Sequence, residues 1–419
     1  MLRNTANFDP RSWGARNADG GAPWVPIPIV QVDLDALTDV VLNAVSPGQR
    51  VWVEVARQGQ VIGVVEALSE AGGISKAGLE VITKELAAID LPVHQRVADE
   101  LLPRATVIVP TIGHDFIRLA RGVEALLALD YPDFEIILVD NRPDPNRTPL
   151  PQFAGEDKVR VLHASRRGAS SARNVGIGYA TGEFVAFTDD DVTIDPNWLR
   201  ELGTRFVNNP EVDGIGGLVL PLELRTQPQL WFEEFFGGFS KSYAAEILSL
   251  DLMSGVDKMF PYAPGRFGAG CNMAFRLSAL RANGGFDRFL GTGTRSRGGE
   301  DLARFMRQVL RGGTLAFEPR ALVRHRHRVS EREFLTQVFG YGTGLTAMFT
   351  ALIVRDPRHV VHMIRRLPGG IQLLTKPRHE RSVSSAPSYP RRAYLYHLLG
   401  LMYGPLAYAR SVARSVLKD

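Results

Sequence analysis

The sequence predicts an α/β protein: a mainly parallel sheet covered by helices on both faces, preceded by a small α+β module and followed by a helical region. Three observations predict it. From about residue 106, short β-rich apolar runs alternate with helix-length stretches, as strands joined by helical crossovers do. Acidic residues stand where two of those runs end, at the strand edge where open α/β sheets bind ligands. On either side the pattern changes, to hairpin-like alternation before residue 100 and to long apolar helical stretches after 330.

Residues 1 to about 25, rich in Gly, Asn, Pro and Arg, read as a loose lead-in. Two β-rich runs, Val51 to Val55 and Val61 to Val65, are joined through Gln58-Gly59-Gln60 and read as a hairpin, with a helix following over Lys76 to Ile89. Residues 1–100 thus form a small α+β module that contains no catalytic constellation. Residues 101–330 hold the sheet, with strands over Thr106 to Pro110, Glu135 to Asp140, Val159 to Leu162 and Glu183 to Thr188. Helices are predicted near Phe116 to Ala128 and Ser170 to Ala180. Residues 331–419 turn helical, over Phe334 to Val354 and Val360 to Leu374, and a Pro/Ser/Arg-rich linker from Lys376 to Arg392 leads to a last apolar stretch.

With 419 residues, 45% of them hydrophobic and 22% charged, the chain has the composition of a folded two-domain protein and not of a disordered one. Its one cysteine, Cys271, excludes an intramolecular disulfide and a cysteine-rich zinc site, and fits a reducing cytoplasm. No apolar stretch of signal-peptide type opens the sequence, so secretion by that route is not expected. The net charge of +4 is unevenly spread: residues 352–419 carry 12 Lys and Arg against 3 Asp and Glu. Such an end attracts phosphates, whether of nucleic acid, anionic lipid or a charged substrate, although a solvated basic surface has the same composition. From Ala393 to Ala409, 17 residues lack any Asp, Glu, Lys or Arg, at the lower limit of about 17 to 25 for a bilayer span. Gly400, Gly404 and Pro405 weaken a span, and the flanking Arg391, Arg392, Arg410 and Arg414 suit an interfacial anchor. A helix packed on the protein fits the same residues.

Three consecutive acids, Asp189, Asp190 and Asp191, follow the fourth strand run. In an extended segment Asp189 and Asp191 face one side and Asp190 the other. Three carboxylates so close repel unless a cation or N–H donors compensate, and hard oxygen ligands suit Mg²⁺ or Mn²⁺. A solvated acidic turn has the same spelling. Asp140 ends the second strand, where a turn aspartate is also at home. Arg173 lies near a predicted helix start, where guanidinium and free N–H groups both favour an anion. Glu300 and Asp301 open a helical segment after a Gly-rich stretch, as helix-capping acids do too. His325 and His327, two apart in a segment interleaved with arginines, face the same way if extended.

Residues 104 to 330 resemble family 2 glycosyltransferases of the GT-A fold, inverting and of bacterial envelope type. The resemblance rests on Val109-Pro110-Thr111, on Val139-Asp140-Asn141, on Gly168-Ala169-Ser170-Ser171-Ala172-Arg173-Asn174-Val175-Gly176, on Thr188 to Asp191, and on Gly299-Glu300-Asp301, in that order. It implies that Pro110, Thr111, Asp140, Arg173, Asp189 and Asp190 bind the nucleotide, with Asp140 accepting from the imide N–H of a uracil. Asp191 becomes the first metal ligand, joined by His325 or His327. Asp301 becomes the general base, with Glu300 as its supporting acid. Gly268 to Arg276 resembles the acceptor-side segment, which places Cys271 and Asn272 beside the acceptor; Cys271 itself reads as a small buried residue, since no activated thiol arrangement is visible.

The implied reaction is the metal-dependent (Mn²⁺ or Mg²⁺) inverting transfer of a sugar from a UDP-sugar to a hydroxyl of a glycan or glycolipid. No covalent sugar intermediate is implied, and no nucleic-acid partner. The implied location is cytoplasmic, peripheral at the inner face of the membrane on an anionic surface. Two rivals share parts of the pattern. A sugar-1-phosphate nucleotidylyltransferase usually begins with a glycine-rich loop, where this chain has Pro110-Thr111-Ile112-Gly113-His114. A non-catalytic membrane-surface protein that binds nucleotide-sugars would not need both Asp191 and Asp301.

Overall fold

Val51, Val53 and Val55 share one face of their strand, and in the computed structural model all three are fully buried with Ile62, Ala67 and Leu79, while Trp52 and Glu54 between them are buried on the other face. The structure describes residues 24–416 apart from 44, 114, 143–149, 151–152, 154–156, 241, 258 and 376–389. The loose lead-in, His114 and most of the expected linker therefore lie outside the described residues. The N-terminal module comprises β1 (Ile29–Asp33), β2 (Val40–Val41), β3 (Arg50–Arg57), β4 (Gln60–Leu68) and β5 (Gly73–Ile74), followed by α1 (Lys76–Ile82) and α2 (Lys84–Ala87). β3 and β4 form the expected hairpin, turning through Gln58 and Gly59 at φ 50° and 74°, the two left-handed residues that a tight hairpin turn requires. The single helix expected over 76–89 is two short ones, because the backbone at Thr83 leaves helical geometry with ψ 0°.

The central sheet contains β6 (Ala105–Thr111), β7 (Phe134–Asp140), β8 (Val159–His163), β9 (Phe184–Phe187), β10 (Val192–Ile194), β11 (Val212–Pro221), β12 (Glu246–Leu248), β13 (Met273–Arg276) and β14 (Thr314–His325). Their order is β10-β14-β11-β13-β9-β6-β7-β8, with β12 also on β14. The ladders make β6, β7, β8, β9, β11 and β14 run one way and β10, β12 and β13 the other, so six of nine strands share a direction. Sequence periodicity anticipated the first four; β10 to β14 were not anticipated, because their partners lie far along the chain.

The helices of this domain are α3 (Phe116–Leu127), α4 (Ala169–Tyr179), α5 (Trp198–Asn208), α6 (Gln227–Phe236), α7 (Leu250–Met253), α8 (Leu277–Asn283) and α9 (Glu300–Leu310). The period of two along β6 and β7 separates two cores. Val107, Val109, Ile136 and Leu138 pack with Leu119, Val123 and Trp198 on one face. Ile108, Ile137 and Val139 pack with Ala172, Ile177 and Phe305 on the other. With both faces covered, the polar groups of these strands are left to their ends.

Three helices follow: α10 (Glu331–Arg355), α11 (Arg358–Thr375) and α12 (Arg391–Val416). A reciprocal cap between Ser330 and Glu333 starts α10. α12 lies against α10 with glycines at the crossing: a β-carbon on Gly400 would stand 2.2 Å from the Phe339 carbonyl oxygen, and one on Gly342 2.4 Å from that of His397. The uncharged stretch from Ala393 to Ala409 thus packs one side on the protein, burying Ala393, Ala407 and Tyr408. Its other side, Leu395, Leu398, Leu399, Met402 and Leu406, is exposed. Among the described residues one helix, α10, is long and apolar enough to cross a membrane, with 44% of its most apolar window buried in the protein.

Candidate active site

β9 carries the chain to Phe187, and the acid triplet occupies the turn from β9 into β10. Because Val192 pairs with His325 at the end of β14, the triplet is brought beside an imidazole far away in sequence. Ligand atoms of Asp189, Asp191 and His325 all lie within 4.8 Å of one another, and His325 Nε2 is 3.5 Å from Asp191 Oδ1. Burial lowers the His325 pKa to about 4, against the pull of Asp191, so the ring is neutral and able to ligate. Two carboxylates and a neutral imidazole are a donor set that suits Mn²⁺, so these residues fit a divalent cation.

Asp190, in the same turn, has a different partner. The Thr111 hydroxyl at the end of β6 donates to it at 2.5 Å, and burial raises its pKa. Burial also raises Asp189, to about 7, with Asp191 and Asp190 adding to the rise and Arg173 opposing it.

Arg173, on α4, is 2% exposed and ties the two acid groups together. Its Nη1 donates to Glu300 at 2.8 Å, and Nη2 to Asp189 at 3.1 Å and to the Gly270 carbonyl at 3.3 Å. The guanidinium expected to meet an anionic ligand is therefore engaged by carboxylates of the protein. Such a buried charge is tolerable because its partners are charged and close.

Glu300 and Asp301 occupy the first turn of α9, entered through Gly299 at φ 84°. No side chain fits at Gly299, since a β-carbon there would lie 2.4 Å from the Gly344 carbonyl oxygen of α10. Asp301 accepts from the N–H groups of Gly270 and Leu302, each at 2.8 Å. Burial, reinforced by Glu300, raises its pKa to about 6, where a general base working near neutrality needs it.

The triplet, Arg173, Glu300, Asp301, His325, Pro110, Thr111 and Cys271 all line one cleft of about 2310 Å³. That exceeds the roughly 300–1,000 Å³ usual for one small ligand, so the cleft has room for a donor and part of an acceptor. Phe232, Phe236 and Phe239 also line it.

Other expected site residues are placed differently. Asp140 is buried at the end of β7 with its carboxylate held by Arg142, at 3.0 Å from Nε and 2.7 Å from Nη2. His327 lies outside the ligand set: its Nε2 meets Glu233 at 2.5 Å and its ring rests on Phe232 and Phe239. Asn272 does not face an acceptor, because its amide donates to the carbonyls of Leu218 and Ala321 and accepts from the Trp198 indole. Burial pushes the Cys271 thiol well up, which leaves it unreactive.

Asn141 has a role that was not anticipated. It donates to the Ala164 and Arg166 carbonyls and accepts from the Gly168 N–H at 2.7 Å, pinning the loop that delivers Arg173. Its sequence signals are its place after the β7 strand end and its membership of the Val139-Asp140-Asn141 match.

The chain is 33% identical over 137 residues to a glucosyl-dolichyl phosphate glucuronosyltransferase of Haloferax volcanii, covering 32% of this chain and 44% of the relative. It is 30% identical over 241 residues to a pre-mycofactocin glycosyltransferase of Mycobacterium tuberculosis, covering 57% of this chain and 46% of the relative. The chain thus spans less than half the length of these curated relatives. A solved structure similar to it is a mannosyltransferase of Pyrobaculum calidifontis in complex with GDP-Man and Mn²⁺, at 16% identity and a TM-score of 0.44, over 80% of this chain and 81% of that one. Residues 106–250 match the family described as "Glycosyl transferase family 2", and this part of the chain is a family 2 glycosyltransferase domain with an α/β fold of GT-A type.

Proposed function

We propose that this protein transfers a sugar from a nucleotide-sugar, a UDP-sugar, to a hydroxyl of a glycan or glycolipid with inversion at the anomeric carbon. The observation that carries the reading is the placement of the Asp189, Asp191 and His325 cluster in one cleft with Asp301. Those three residues would hold a divalent cation, Mn²⁺ or Mg²⁺, which would supply neutralisation of the charge on the departing diphosphate. Asp301 takes the acceptor proton, with Gly270 and Leu302 N–H groups fixing its carboxylate. Arg173 keeps Glu300 and Asp189 in place and offsets their repulsion. Thr111, Asp190 and Pro110 frame the nucleoside side, and Asp140 meets the uracil once Arg142 swings aside. Attack opposite the leaving group is a single displacement, which needs one base and no carboxylate nucleophile.

The names of the relatives support glycosyl transfer and, for the archaeal one, a lipid-borne acceptor. The exposed apolar stripe of α12, flanked by Arg391, Arg392, Arg410 and Arg414, supports a place on the anionic inner face of a cell membrane.

The test is slow donor hydrolysis by a panel of nucleotide-sugars with Mn²⁺, which needs no acceptor. One UDP-sugar should be turned over above the rest, and EDTA should stop it. No hydrolysis of any nucleotide-sugar would count against the reading.

A further inference from the structure

The cleft does not end at Asp301. α10 lines it along a single face from Glu333 to Ile353, about 30 Å of helix at 1.5 Å per residue. The character of that face changes midway. Before Gly344 it presents Glu333, Thr336, Gln337, Gly340 and Tyr341; after it, Leu345, Phe349 and Ile353. The change falls beside the base, since Gly344 abuts the Gly298–Gly299 turn that leads into Asp301. α11 completes the apolar side with Val360, Met363 and Ile364. Leu345, Phe349 and Met363 rest on the main core with one side and are only partly buried, so their other side faces the cleft.

We infer that this branch seats the hydrocarbon tail of a lipid-borne acceptor, leaving the head-group hydroxyl at Asp301. The inference rests on the glycosyl-transfer reading above and names its acceptor class. Continuity carries it: the apolar wall of α10, about 14 Å from Gly344 to Ile353, begins beside the turn that leads into the catalytic carboxylate, and the polar groups near it, Tyr262 and Arg366, are stacked on each other. Charge is consistent with it. α11 contains Arg358, Arg365 and Arg366 and no acidic residue, so the outer wall of the branch suits the phosphates of a lipid head group or an anionic surface. A free oligosaccharide would leave the apolar wall wet, while a tail removes it from water.

Binding of butyl, octyl and dodecyl glucosides to the full chain with Mn²⁺ and UDP, measured by calorimetry below their micelle concentrations, tests it. Affinity should rise about fourfold per methylene buried, the equivalent of about 0.8 kcal/mol, until the branch is filled. Ile353→Asn and Ile364→Asn should flatten that dependence at unchanged melting temperature; Ile364 is 57% exposed, so its replacement does not disturb the core. Leu398→Asn, on the exposed face of α12, should leave the dependence intact, which separates the channel from general detergent adsorption. Equal affinity for all three chain lengths, or a dependence lost only with Leu398→Asn, overturns the inference and leaves the channel to another occupant such as a second copy of this chain. Donor hydrolysis by the unaltered protein is scored separately: its absence sinks the transfer reading, whereas its presence with no chain-length dependence sinks only this inference.

Discussion

Glu54, fully buried on β3 of the N-terminal module, forms a two-pronged ion pair with Arg324 of β14, at 2.6 and 2.5 Å. Arg324 immediately precedes His325 of the metal cluster, so the module fixes the strand end that presents a ligand. Glu54→Ala leaves Arg324 without its partner in a largely buried site and should cost about 3 kcal/mol of stability. It should also weaken Mn²⁺ binding. Combining Glu54→Leu with Arg324→Met should restore stability more than metal affinity, as seen by denaturant titration beside Mn²⁺-dependent melting. Equal recovery of both would show that the pair supports the fold alone.

The two histidines should separate cleanly. His325→Ala, like Asp191→Ala, should abolish the rise in melting temperature that Mn²⁺ with UDP gives by mass action. His327→Ala should keep that rise and lower the baseline by about 1–3 kcal/mol, because Glu233 loses a buried partner. A metal response lost with His327 and retained without His325 would reverse the assignment.

Asp301 sets the expected pH dependence. With its pKa raised from 3.8 to about 6 by burial and by Glu300, it is protonated and idle in acid, and kcat/KM should climb through about pH 6. The sign for stability is opposite. A carboxyl that holds its proton more tightly folded than unfolded contributes fully below about pH 4, and that contribution fades as pH rises toward 6. Asp301→Asn keeps the shape and one of the two acceptor oxygens, so it should still bind donor while losing transfer by about 10²- to 10⁴-fold. Near-normal turnover would move the base to Glu300.

The legible parts of the site were those whose chemistry sits next to a strand or helix end in sequence. Asp189 to Asp191, Thr111 and Asp301 were identifiable because an apolar run or a Gly-rich turn delivers each of them. The β10–β14 pairing that selects His325 over His327 spans more than 130 residues, and no local pattern encodes it. Asn272 reads like an acceptor contact because an amide beside glycines suits a sugar equally well. Only the distant Trp198, Leu218 and Ala321 show that its hydrogen bonds are already used. The glycines of α12 misled in the same way: Gly400 and Gly404 look like defects in an anchor until α10 is seen against them.

That contact separates packing from membrane attachment. Gly400→Leu drives a side chain into the Phe339 carbonyl, which a β-carbon alone would meet at 2.2 Å, so it should displace α12 from α10 and lower the melting temperature sharply. Removing Ala393 to Asp419 altogether should have the same effect, because it uncovers Gly342 and Thr343. Truncation is therefore a poor test of attachment. Leu398→Ser with Met402→Ser alters only exposed positions, at 54% and 72%, and should leave melting unchanged. If the stripe meets a membrane, the same pair should release the protein from anionic vesicles in a sedimentation assay, with high salt weakening what remains through the flanking arginines. Unchanged sedimentation at low salt would assign the stripe to some other contact.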